Sequence, residues 1–84
     1  MKHAGRETLG LLKDLLAEIR KCGGLKERGE GVFYFKSSAF LHFHEDPAGI
    51  YADIRAGKGW KRLRVNTAEE RKALLREVKH TVSK

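Results

Sequence analysis

The chain has 84 residues, 40% of them hydrophobic, with one cysteine and a formal net charge of +7. That length holds one domain with a small core, the hydrophobic share is enough for a globule rather than a disordered chain, and a lone cysteine excludes an internal disulfide framework. The excess of 18 Lys and Arg over 11 Asp and Glu favours an anionic partner.

The first predicted element is a helix over about 6–22. Leu9, Leu12, Leu16 and Ile19 recur at three- and four-residue steps, with Leu15 and Cys22 beside them, so one apolar stripe runs along it. Gly23-Gly24 ends it, since glycine accepts the left-handed conformation of a helix stop. Cys22, at the apolar edge of that end, reads as packing rather than as a reactive thiol.

Over about 32–65 the period changes to two. "VFYFK", "AFLHFH", "IYADIR" and "WKRLRV" are short runs of aromatic and β-branched residues, separated by Ser37-Ser38, "EDPAG" and "AGKG". Connections this short join antiparallel neighbours, which predicts a four-stranded meander. Thr67-Ala68-Glu69-Glu70 is a capping-box pattern opening a second helix over about 68–82, striped by Leu74, Leu75, Val78 and Val82. The expected fold is a single α+β domain spanning 1–84. Its layout is α-β-β-β-β-α, a two-layer sandwich with both helices on one sheet face.

Alternation sorts the strands into faces. Leu41 and Phe43 point inward with Ala39, while Phe40, His42 and His44 point outward. Ala52 and Ile54 point inward with Ile50, and Tyr51, Asp53 and Arg55 outward; in the last strand Leu63 and Val65 are inward, and Trp60, Arg62 and Arg64 outward. In the first strand Phe33 and Phe35 are inward, which requires a three-residue turn with a bulge after Phe35. A hairpin closed by "AGKG" sets Arg55 opposite Trp60, Asp53 opposite Arg62, and Tyr51 opposite Arg64.

Three readings of this outer face follow. In the first, Arg55, Lys58, Lys61, Arg62 and Arg64 hold the phosphates of a nucleic acid. These are five cations in ten residues without an acid between them, and Trp60, Tyr51 and Phe40 offer surfaces for base stacking. In the second, the same face joins two copies as a homodimer. In the third, His42, His44 and Asp53 hold a metal ion, because His-x-His on a strand points both rings the same way and the neighbouring strand adds a carboxylate. That third reading ranks last, since Arg62 competes for Asp53 and the arginines repel a cation. No nucleophile–base set or phosphate loop is present, so a non-catalytic binding module without a cofactor is expected. No apolar run nears the ~20 residues of a membrane span, and "MKHAGRETLG" has no signal-peptide core, so a cytoplasmic protein with no membrane partner is expected.

The order of elements, with "GVFYFKSSAFLHFHEDPAGIYADIR" leading to "WKRLRVNTAEERKALLREV", resembles the small bacterial YjbR/MmcQ-like proteins over about Phe33 to Val78. The resemblance implies a compact α+β domain with an antiparallel sheet on helices, related in shape to the frataxin-like arrangement, and DNA binding suggested by shape. It carries over no site residue. Frataxin-type iron binding is not implied, because the first helix here is basic and mixed rather than an acidic ridge.

Overall fold

The leucine stripe folds as two short helices, not one. α1 covers Arg6–Leu11 and α2 covers Lys13–Arg20; between them Leu12, with φ −98° and ψ 12°, leaves the helical region. The computed structural model, which describes residues 2–83, thereby corrects the continuous helix expected over 6–22. Gly10, a poor helix former, precedes the break. The break leaves Leu9, Leu12, Leu15, Leu16 and Ile19 all buried, while Leu11 remains 67% exposed.

Among the described residues, six strands form one antiparallel sheet. β1 is Lys2–His3, β2 Leu25–Glu27, β3 Phe33–Phe35, β4 Ser38–Asp46, β5 Gly49–Ala56 and β6 Gly59–Arg64. The order is β2-β3-β4-β5-β6, with β1 paired to β4 off this path. The expected four-stranded meander is the β3–β6 part of it. β1 and β2 escape the alternation pattern because two or three residues cannot display a period. β4 is the hub: β5 pairs with Leu41 to Asp46, β3 with Ser38, Ala39 and Leu41, and β1 with His44 and Glu45. The final element is α3, Ala68–Val82. Among the described residues, no helix is long and apolar enough to cross a membrane.

The chain is of the α+β class. Leucines and isoleucine of α1 and α2, Leu74 and Val78 of α3, and Phe33, Leu41, Phe43, Ala52 and Ile54 of the sheet form one buried cluster. β4 and β5 alternate as their sequences require, with one exception. Phe33 pairs with Leu41 and Tyr34 with Ala39, so Phe40 is the extra residue of a β-bulge. The bulge turns Phe40 into the core, 3% exposed, with its ring 5.7 Å from that of Phe35. The expectation that Phe40 faces outward is therefore corrected.

The turn before it is also tighter than expected. Phe35 pairs directly with Ser38, leaving Lys36 and Ser37 as the turn, both left-handed at φ +52° and +68°. Two positive φ values mark a type I′ turn, which favours Asn-Gly and strains side chains such as these. Lys36→Asn with Ser37→Gly is expected to stabilise the fold by about 1 kcal/mol, raising the thermal midpoint by about 4–8 °C in a chain this small. A calorimetric midpoint that does not rise contradicts the strain.

Glu27 joins β2 to α2, accepting Arg20 Nε–H at 2.7 Å and Nη2–H at 2.9 Å, and it takes the Gly31 N–H at 2.9 Å. The Arg20 bond is the main reason its carboxyl titrates below the ordinary range. The folded state thus binds this proton less readily than the unfolded chain. The associated stability is present above about pH 4.3 and is lost as pH falls through the lower folded value. Urea midpoints are expected to drop on acidification below that pH, with a shallower drop in Glu27→Gln; equal drops in both proteins would contradict this.

Candidate functional site

The outward residues of β4, β5 and β6 meet in rows set by the strand register. One row reads His42–Asp53–Arg62 and the next His44–Tyr51–Arg64, with Arg55 opposite Trp60 toward the hairpin end. These are the pairings that alternation and the short "AGKG" connection imply. The turn itself is only Gly57-Lys58, since Ala56 also pairs with Gly59. Gly57 takes φ +60°, as the first central residue of a type II′ turn requires.

Each arginine is held by its cross-strand neighbour. Arg62 forms a two-pronged ion pair with Asp53, Nε to Oδ1 at 2.7 Å and Nη2 to Oδ2 at 3.0 Å. Arg55 lies 4.6 Å above the Trp60 ring and donates its Nε–H to the Ala39 carbonyl at 2.9 Å. Arg64 sits 5.9 Å from the Tyr51 ring, with Nε 3.5 Å from Glu70 Oε2. Arg62 and Arg64 stay more than half exposed, and Trp60 is 44% exposed. Lys58 is exposed at the turn. Lys61, of opposite parity, forms an ion pair with Glu77 of α3 and so is not brought onto this face. Phe40 is absent from it for the reason given above.

Asp53 is the one buried charged residue described, 8% exposed. Its carboxyl is held below the usual carboxylate range, first by the Arg62 hydrogen bond and against the opposing effect of burial. Oδ2 also lies 3.0 Å from His44 Nε2, which in turn is 2.8 Å from His42 Nδ1. Burial, with the adjacent His44, pushes the His42 imidazole below its ordinary value and favours the neutral ring. The His42 ring is 5.0 Å from the Trp60 indole.

A third imidazole completes the cluster. β1 sets His3 directly opposite His44, with ring centroids 4.9 Å apart, and 5.7 Å from His42. His3 was not a candidate from the sequence, because nothing local marks Lys2-His3 as a strand. The acids that follow the histidines have other work. Glu45 accepts the Gly5 N–H at 3.2 Å and the Thr8 hydroxyl, tying the start of α1 to β4. Asp46 Oδ1 accepts the Ala48 N–H at 2.8 Å within the turn.

No family model matches the chain, and no curated protein or solved structure matches it either.

Proposed function

We propose that the chain is a non-catalytic nucleic-acid-binding module that uses the outer face of β5 and β6. The observation that carries this reading is the set of guanidinium groups, Arg62 and Arg64 exposed and Arg55 half-buried, braced by aromatic or carboxylate neighbours on one sheet face. A braced arginine has already given up side-chain freedom, so less is lost when it meets a phosphate. Each guanidinium also retains donors beyond those its neighbours occupy. Trp60 and the Arg55 plane above it supply the flat, partly exposed surface on which an unpaired base stacks.

Self-association through the same face is the weaker reading. β6 ends the sheet order, and Lys61, Arg62 and Arg64 line it. Arg62 and Arg64 also stand exposed on the outer face, so a two-fold contact through that face would bring like charges together.

The test is fluorescence anisotropy of a labelled single-stranded oligonucleotide, titrated at several salt concentrations. Three phosphate contacts, from Lys58, Arg62 and Arg64, imply that log K falls against log salt with a slope of about −2 on a single strand. A slope near zero, or no binding at about 50 mM salt where such contacts are strongest, contradicts the proposal.

A further inference from the structure

We infer that His3, His42 and His44 form a binding site for a single divalent transition-metal cation of the zinc class, with Asp53 as the fourth ligand. This goes beyond the nucleic-acid reading and does not depend on it. The case is geometric. The ligand nitrogens of the three histidines all lie within 4.8 Å of one another. Asp53 Oδ2 is 3.0 Å from His44 Nε2 but stands outside the close group of three imidazoles, so it reaches a shared ion only by turning toward it. The groups come from three strands, β1, β4 and β5, whose pairing fixes their positions independently of any ion.

Three imidazoles and one carboxylate are a donor set suited to Zn²⁺ and its neighbours, and unsuited to Mg²⁺ or Ca²⁺, which take oxygen ligands. Ligands at about 2.0–2.1 Å in a tetrahedral site lie about 3.3 Å from one another. The 2.8 Å His42–His44 contact must open slightly, and the exposed His3 ring must swing inward. Both are side-chain rotations. The 2.8 Å approach of the His42 and His44 ring nitrogens fits an N–H of one ring donating to the other. A cation bound between those nitrogens needs the donor ring in its other tautomer, with its proton on the nitrogen that faces away from the ion.

Arg62 is the apparent obstacle, and the geometry answers it. Its Nε bonds Oδ1 at 2.7 Å and can keep that oxygen, while its Nη2 bond to Oδ2 at 3.0 Å must be shared or given up as Oδ2 turns to the metal. A hydrogen-bonded carboxylate ligand is the usual arrangement around a metal, since the outer partner fixes its orientation. Asp53 meanwhile neutralises the nearest guanidinium. The structural consequence is a staple: one ion would bind the two-residue β1 to β4 and β5.

Calorimetric titration of the untagged chain with Zn²⁺, and with Mg²⁺ as the oxygen-seeking control, tests the site. Ni²⁺ quenching of Trp60, the sole tryptophan and a neighbour of His42, gives an independent readout. One Zn²⁺ per chain, no Mg²⁺ heat, quenched indole emission and a raised thermal midpoint are expected. His3→Ala, His42→Gln and His44→Gln should each weaken Zn²⁺ by about a hundredfold or more, since losing even an outer partner of a ligand costs about ten- to a hundredfold. His80→Ala and Cys22→Ser, outside the cluster, should leave binding unchanged. Circular dichroism verifies that each variant is folded, and His3→Ala is the safest of them because His3 is exposed. Absence of Zn²⁺ binding, or binding that survives in folded His3→Ala and His44→Gln, overturns the inference.

Discussion

Replacing Gly49 with alanine is expected to destabilise the fold by about 3–5 kcal/mol, from left-handed strain and lost hydrogen bonds together. Gly49 closes the β4–β5 turn at φ +138°, a conformation that side chains rarely adopt. A Cβ there would also lie 2.8 Å from both the Nδ2 and Oδ1 atoms of Asn66. That carboxamide cannot step aside without loss. Its Oδ1 accepts the Ile50 N–H at 2.9 Å and its Nδ2 donates to the Ile50 carbonyl at 3.2 Å, joining the start of β5 to the approach of α3. Against a total stability on the order of 5 kcal/mol, the substitution leaves little folded protein. Asn66→Ala removes the bonds without the strain and is expected to cost about 1–3 kcal/mol. Urea unfolding of both variants separates the two contributions; a Gly49→Ala change no larger than that of Asn66→Ala would contradict the backbone argument.

Reversing Lys58 and Arg64 to glutamate is expected to weaken oligonucleotide binding by at least about a hundredfold at 50 mM salt, because one phosphate contact is worth about tenfold there. These positions are chosen over Arg62 for a physical reason. Arg62 holds the buried Asp53 carboxylate, so changing it mixes stability with binding. Lys58 is exposed at a turn, and the Arg64–Glu70 pair, exposed at Arg64 and half-buried at Glu70, is loose at 3.5 Å and worth about 0–1 kcal/mol. The loss should be alike on every base sequence and shrink at high salt, as phosphate contacts require. A loss that depends on base sequence, or persists at high salt, would place these side chains elsewhere than on phosphates.

Much of the central sheet was legible in the residues. The outward set of β5 and β6, the pairing of His42 with Asp53 and the Thr67–Glu70 capping box all follow from alternation, short turns and one local motif. What escaped depended on long-range pairing or on a single-residue irregularity. The Phe40 bulge shifts one residue into the core, and no period-two pattern signals where an extra residue enters. The break at Leu12 lies inside a stripe that a straight helix also satisfies. His3 is the most instructive case, because its place beside His44 is decided by a two-residue strand whose partner lies far along the chain. From local sequence the histidine cluster therefore looked like two imidazoles and a contested carboxylate, and the third imidazole came only with the fold.

The decisive measurement is solution mass by light scattering at about 50 mM and 500 mM salt, with and without a short single-stranded oligonucleotide, because counterion release makes phosphate binding salt-sensitive over that range. A monomer that takes up the oligonucleotide at low salt and releases it at high salt is the expected result. A dimer at both salts that ignores the oligonucleotide would contradict the proposal and make the outer face of the sheet an interface between copies.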